Sequence, residues 1–158
     1  MFHEEYYFYD NELQYITFFE GFNRSLDEFI WPQHLKSIEF NHEFNQPIDK
    51  IKFPDNVTVI IFGYNFNQSV SQVTWPSQLK ELYFGGKFNH EIDLLKWPPE
   101  LYKLVLLGSF DRPLTYVRFP ITLKELWLEE KYGQQLFNIY VAERMSVNFY
   151  NPKLGCAS

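Results

Sequence analysis

The sequence predicts a repeat solenoid with a single parallel β-sheet, and two markers that recur every 22 residues carry this prediction. An aromatic residue followed by proline recurs at Trp31-Pro32, Phe53-Pro54, Trp75-Pro76, Trp97-Pro98 and Phe119-Pro120. Phe-Asn keeps the same step at Phe22-Asn23, Phe44-Asn45, Phe66-Asn67 and Phe88-Asn89, with the variant Phe110-Asp111 following. Two independent markers in one register indicate an array of short repeats, which is the sequence signature of a solenoid.

Each repeat also contains the apolar pattern LxxLxF, which predicts one short strand. Apolar and variable residues alternate there, as in Leu82-Tyr83-Phe84, so every second side chain is expected to be buried. Stacked coils would align these strands into one parallel sheet. The segment from Phe-Asn to the next aromatic-Pro pair is short and contains Pro47 in one coil and Pro113 in another. This disfavours a long helix and predicts irregular or short 3₁₀ outer arcs.

The register divides the chain into six units and two terminal pieces. Extending it backwards reaches Leu13, Ile16 and Phe18, and extending it forwards reaches Tyr132, Leu136 and Val141. The predicted repeats are residues 9–30, 31–52, 53–74, 75–96, 97–118 and 119–140, with an N-terminal cap at 1–8 and a C-terminal cap or tail at 141–158. One coil is too small to bury its apolar face alone, so we expect neighbouring coils to bury it jointly.

These residues resemble the FNIP repeat, a 22-residue variety of leucine-rich repeat that is abundant in social amoebae and giant DNA viruses. Phe44-Asn45-Gln46-Pro47-Ile48 nearly spells the family name, and the resemblance covers residues 9–140. It implies a leucine-rich-repeat-like solenoid. The chain departs from the pattern late, with Asp111 in an Asn slot, Gly133 after Tyr132 and Ala142 in a Pro slot, so the sixth repeat is expected to be a degenerate cap. Some viral members carry F-box segments, and no such segment is recognisable in the short N-terminal piece.

Composition limits the classes of partner and the cellular location. The formal net charge is −6, so the chain lacks the basic field that neutralises phosphates, and we expect no direct nucleic-acid partner. The lone Cys156 excludes an intramolecular disulfide framework and fits a reducing compartment. The acidic N-terminus and the lack of about 20 consecutive apolar residues predict neither export nor a membrane span. The expected location is the cytoplasm, or the host cytoplasm for a viral protein.

The sequence offers no constellation for catalysis, and we predict that the protein is not an enzyme and has no cofactor. The four histidines fall in different repeat slots or in the terminal tail, which predicts no metal site. Glu81, Glu125 and Glu129 recur on the open face without a partner arrangement of His, Ser or Lys that would form an acid/base pair or activate a nucleophile.

A polar slot recurs in the turn after each strand, and we predict that it forms a structural ladder. Its members are Asn23, Asn45, Asn67, Asn89 and Asp111. An amide both donates and accepts hydrogen bonds, so it can satisfy backbone groups of the turn. An ionised Asp111 would keep only the acceptor function, and the ladder is expected to weaken there.

The strand positions between the buried residues should face solvent on the open side of the sheet. The middle column becomes apolar in its later half, with Ile61, Tyr83, Val105 and Trp127, and would span about 14 Å at the usual strand spacing. An apolar centre inside a charged rim is the composition of a protein interface. The predicted partner-binding residues are Val59, Ile61, Glu81, Tyr83, Lys103, Val105, Leu107, Glu125, Trp127 and Glu129.

The sequence leaves several interpretations of this face open. The leading hypothesis is an interaction scaffold that binds a protein partner. A second is a structural or self-associating subunit of a larger viral or cellular assembly, and a weaker third is carbohydrate binding. Aromatic and β-branched residues also simply suit strands. The tail, with Val147, Phe149 and Tyr150, could instead fold over the last strands and hide Trp127.

Overall fold

The computed structural model describes residues 7–134, 145–151 and 156–157. Nine strands follow one another along the chain: β1 Tyr7–Tyr9, β2 Tyr15–Phe18, β3 Ser37–Glu39, β4 Val59–Ile61, β5 Glu81–Phe84, β6 Lys103–Leu106, β7 Glu125–Glu129, β8 Ser146–Asn151 and β9 Cys156–Ala157. The predicted Leu136, Val141 and Ala142 positions lie outside the described residues, as do parts of the predicted sixth repeat and of both terminal pieces.

The nine strands form one sheet whose spatial order is the order of the sequence. Strands β2 to β8 are parallel, and each pair from β2 to β7 is in register at a step of 22 residues, as in Ile38 beside Ile60. The pairing of β7 with β8 uses a step of 21 residues, with Leu126 beside Val147. At the two ends, β1 and β9 pair antiparallel with their neighbours.

Three tight turns bend each complete coil, and they explain the two sequence markers. The first begins at the proline of the aromatic-Pro pair, because the Leu79 N–H donates to the Pro76 carbonyl at 3.1 Å. The second ends at the Phe of Phe-Asn, where the Phe66 N–H donates to the Gly63 carbonyl at 3.3 Å. The third lies on the outer arc. Described arcs contain turns and no helix, so they are irregular.

The core is a set of columns in which the same slot of every coil is buried. Alternation along each strand directs residues such as Leu82 and Phe84 inward, and both are at most 2% exposed. The Phe of Phe-Asn forms a stacked column through Phe22, Phe44, Phe66, Phe88, Phe110 and Tyr132, with ring centroids 6.0–6.3 Å apart. A second stacked column joins Phe18, Phe40, Phe62 and Phe84 at 5.0–5.5 Å.

Glycines follow two central strands because neighbouring coils approach closely there. A Cβ atom on Gly63 would lie 1.9 Å from the Asn41 carbonyl oxygen, and one on Gly85 would lie 2.0 Å from the Gly63 carbonyl oxygen. Any side chain at these two positions would clash with the backbone of the preceding coil. The glycines are therefore packing requirements of the stack.

The parallel sheet, the irregular arcs and the absence of helix from the described residues confirm the predicted fold class.

Candidate functional site

The open face of the sheet is formed by the strand residues that alternate with the buried ones. Its most polar and aromatic part lies on β5, β6 and β7, where register pairing places Glu81, Lys103 and Glu125 in one row. Tyr83, Val105 and Trp127 form the next row. We call these six residues the aromatic–lysine cluster.

Lys103 joins the two aromatic residues of the aromatic–lysine cluster. Its ammonium lies 5.5 Å from the Tyr83 ring centroid and 5.5 Å from the Trp127 ring centroid. Both distances are within the range of a cation–π interaction. The same ammonium lies 3.7 Å from Glu125 Oε2, with both side chains partly exposed. Lys103 thus contacts both rings from the strand between them.

Two carboxylates bind the polar atoms of the aromatic rings. The Tyr83 hydroxyl donates a hydrogen bond to Glu81 Oε2, and Trp127 Nε1 donates one to Glu125 Oε2 at 3.1 Å. Burial, the hydrogen bond to Glu81 and the negative charges of Glu81 and Glu125 together raise the pKa of the Tyr83 hydroxyl. Tyr83 therefore remains a neutral hydrogen-bond donor at physiological pH.

The predicted binding residues differ in how much surface they offer. Val105 is only 7% exposed and Glu129 is 9% exposed, so both contribute little accessible area. The Glu129 carboxylate accepts a hydrogen bond from the Gly108 N–H at 2.8 Å and so supports a turn. The partly exposed members are Val59, Ile61, Glu81, Tyr83, Lys103, Leu107, Glu125 and Trp127.

The earlier coils form a second, shallower part of the open face. Glu39 is exposed on β3, and its carboxylate accepts a hydrogen bond from Thr17 Oγ1 at 3.5 Å. A depression of about 300 Å³ lies beside Gly63 and Gly85, and Ile61 and Tyr64 line part of it. Asn41 also borders this depression and is almost completely buried.

Asn41 stabilises the turn that follows β3. Its side-chain amide donates to the carbonyls of Phe19 and Phe22, and its Oδ1 accepts from the N–H groups of Glu43 and Phe44. Alternation continued past β3 would place Asn41 on the open face, but these bonds direct it to the backbone of its own coil and of the preceding one. Its role is structural.

The recurrent polar slot forms a continuous chain of hydrogen bonds between coils. Asn67 is typical: its N–H donates to Asn45 Oδ1 at 2.9 Å, and its own Oδ1 accepts from the Asn89 N–H at 3.1 Å. The same bond links Asn23 to Asn45 and Asn89 to Asp111. Asp111 in turn accepts from the Gly133 N–H at 3.1 Å, so the acceptor function continues past the substitution.

The residue after this polar slot adds a second row of bonds, which sequence reasoning missed. Gln46 and Gln68 donate from their amides to the carbonyl of the Asn one coil earlier, each at 3.1 Å. Arg112 does so from its guanidinium at 2.9 Å. The sequence does contain a signal for these bonds, because a long polar side chain follows most of the Asn residues in this slot.

Strand β8 lies beside β7 and extends the sheet. Asn148 pairs with Trp127 in this register, and Tyr150 pairs with Glu129. This part of the tail therefore lies in the plane of the sheet, and it covers the edge of β7 rather than its open face. Trp127 remains partly exposed.

In the described part of the chain, no helix is long and apolar enough to cross a membrane. Among the same residues there is no group of three or more His, Cys, Asp or Glu side chains that could hold a metal ion.

Comparison with known proteins agrees with this architecture. The family model for the FNIP repeat matches residues 22–65 and 44–87, which confirms the predicted resemblance over this part of the chain. No curated protein matches the chain. Among solved structures, the chain is similar to CroV588, a giant-virus protein described as a novel circular LRR protein structure. The TM-score is 0.66 at 25% identity, over 86% of this chain and 23% of CroV588, so the chain spans less than a quarter of that protein.

Proposed function

We propose that this chain is a non-enzymatic scaffold that binds a protein partner through the open face of its sheet. The observation that carries the proposal is the aromatic–lysine cluster. Tyr and Trp are the residues that most often dominate binding energies at protein interfaces, together with Arg. Here Lys103 and two carboxylates hold Tyr83 and Trp127 in place while both stay partly exposed.

Orientation of the two rings before binding favours affinity. A partner that meets mobile side chains loses about 0.5–1.5 kcal/mol for each one that it immobilises. Tyr83 and Trp127 are already held by hydrogen bonds to Glu81 and Glu125, so this cost is reduced. The flanking Val59, Ile61 and Leu107 add apolar surface around them. An apolar centre with a charged rim fits a protein better than it fits a small substrate.

The proposal is tested with the double variant Tyr83→Ala, Trp127→Ala in a pull-down from the native cell followed by titration of the captured partner. Truncation of each anchor should cost at least about 2 kcal/mol of binding free energy. The matched control is Leu94→Ala, Tyr116→Ala, which removes two side chains that are 83% and 80% exposed on the outer arc. Thermal melts must show that both variants fold.

Retained affinity in the folded Tyr83→Ala, Trp127→Ala protein would contradict the proposal. So would an equal loss in the outer-arc control. Light scattering over a range of concentrations separates this function from self-association, because a second copy of the chain would then be the partner. We also propose a cytoplasmic location, which the single cysteine supports and cell fractionation tests.

A further inference from the structure

The outward-facing strand positions of the open face carry more negative than positive charge. In the described strands, Glu39, Glu81 and Glu125 are accessible carboxylates of this face, and Lys103 is its one ammonium. The lysines that precede strands, Lys36, Lys80 and Lys124, are exposed or partly exposed, but they lie just before the strands and are not among these outward-facing strand positions.

The positive charge of the open face is already neutralised within the aromatic–lysine cluster. Lys103 forms its ion pair with Glu125, which leaves Glu81 and Glu39 as the accessible excess. Glu81 accepts one hydrogen bond, from a neutral tyrosine hydroxyl, and Glu39 accepts one from a threonine hydroxyl. Neither hydrogen bond neutralises a charge. Both carboxylates therefore keep a negative charge that a partner can meet.

Lys103 lies in an environment that suits a cationic side chain. Its ammonium is 5.5 Å from the centroids of two aromatic rings and 3.7 Å from one carboxylate oxygen. Aromatic rings and carboxylates on this face would also suit a cationic side chain of a partner.

The contact residues are spaced for a short extended segment. Glu39 lies on β3 and Trp127 on β7, which are separated by four strand spacings. At about 4.8 Å per spacing this is about 19 Å, a distance that roughly six residues of extended chain cover at about 3.4 Å per residue. Between them, the depression beside Gly63 and Gly85 has room for a side chain.

We infer that the partner presents a basic, extended segment of about six residues or more, whose lysine or arginine side chains meet Glu39 and Glu81 while its apolar side chains contact Tyr83 and Trp127. This inference rests on the proposed function and specifies the chemistry of its partner. Charge complementarity of this kind chiefly determines partner choice and association rate.

The probes are three fluorescein-labelled octapeptides with alternating residues: Arg and Leu, Gln and Leu, or Glu and Leu. In fluorescence anisotropy the Arg peptide should bind tightest, and its affinity should fall as the salt concentration increases. The variant Glu39→Gln, Glu81→Gln should lower the affinity for the Arg peptide by roughly threefold to tenfold. Gln at position 81 can still accept the hydrogen bond from Tyr83. The control Asp27→Asn, Glu28→Gln makes the same change in net charge at exposed residues outside the strands.

Each outcome decides the inference. The inference is overturned if none of the three peptides binds or if all three bind equally. It is also overturned if the control variant loses as much affinity for the Arg peptide as Glu39→Gln, Glu81→Gln does, because this would indicate attraction by net charge alone. If Tyr83→Ala, Trp127→Ala abolishes binding of the captured partner while Glu39→Gln, Glu81→Gln does not weaken the Arg peptide, the inference fails and the proposed function stands. If neither double variant weakens binding of the captured partner, both the inference and the proposed function fail.

Discussion

At the scale of single residues, the Asn slot shows why one side chain type recurs at one position. The Oδ1 atom of each Asn accepts the N–H of the equivalent residue one coil later, so each rung needs an acceptor of the right length. Asp111 provides the same acceptor, and the bond to Gly133 is retained. The acceptor is therefore the function that these bonds require.

We predict that Asn67→Ala lowers the free energy of unfolding by about 0.5–1.5 kcal/mol, the usual net value of one hydrogen bond. Asn67→Asp should lose less, because a carboxylate can still accept the Asn89 N–H. Urea titrations followed by circular dichroism measure both changes. Equal loss in the two variants would mean that the amide donor, rather than the acceptor, stabilises the coil.

Other single residues could not be assigned from the strand pattern. Asn41, Gly63 and Gly85 occupy equivalent positions just after strands β3, β4 and β5, and alternation continued past the strands would place all three on the open side. Asn41 is instead buried, and its side chain forms four hydrogen bonds with the backbone. Glycine is required at positions 63 and 85 because successive backbones approach closely there. Both effects depend on distances between coils, which alternation within one strand does not contain.

At the scale of the element, each strand is too short to be stable alone. Strand β4 has three residues, and its neighbours β3 and β5 have three and four. Their stability comes from pairing with both neighbours and from the stacked rings beneath them. Phe66 illustrates this, because its ring stacks on those of Phe44 and Phe88 in its own column. It also stacks on Phe62 of the same coil, with ring centroids 4.1 Å apart.

We predict that Phe66→Ala lowers the free energy of unfolding by about 3–5 kcal/mol, since the residue is fully buried and the cavity would interrupt the stack. Phe66→Leu keeps most of the apolar volume and should cost less. Chemical denaturation of both variants gives the values. A cost for Phe66→Ala no larger than that of Phe66→Leu would show that the coils relax around the missing ring.

The elements were predictable because their signal repeats. Five aromatic-Pro markers and the LxxLxF pattern place the strands from β3 to β7 within a residue or two of their observed bounds. The open-face row of Ile61, Tyr83, Val105 and Trp127 follows from the same register. The position of Lys103 between the two rings does not, because it depends on the side-chain conformations of three neighbouring strands.

At the scale of the whole molecule, the array has antiparallel strands at both ends of its parallel sheet. Strand β1 covers the edge of β2, and β9 covers the edge of β8. A parallel array alone would present unpaired backbone groups at its first and last coils, which are templates for association with other chains. Both terminal strands depart from the parallel register of the coils. Two tyrosines near the ends of the array have pKa values that differ between the folded and the unfolded chain.

Tyr9 on β1 and Tyr132 at the end of the stacked column both have a raised pKa. Burial raises the pKa of Tyr9 to about 12, with a smaller contribution from Tyr7. Burial, followed by the charge of Asp111, raises the pKa of Tyr132 to about 12. The unfolded chain deprotonates tyrosine near pH 10, so the folded state holds these protons more tightly.

We therefore predict that both tyrosines stabilise the fold fully below about pH 10 and that this stability is lost as the pH rises from about 10 through 12. Urea midpoints at pH 8, 10 and 11 should fall over this window. The variant Tyr9→Phe, Tyr132→Phe cannot ionise at either position, so its midpoint should fall less, although it loses the 2.8 Å bond from the Tyr132 hydroxyl to the Arg112 carbonyl. Tyr116→Phe, at an 80% exposed position, should follow the wild type. If the urea midpoint falls equally in the double variant and in the wild type, other residues cause the loss of stability at high pH.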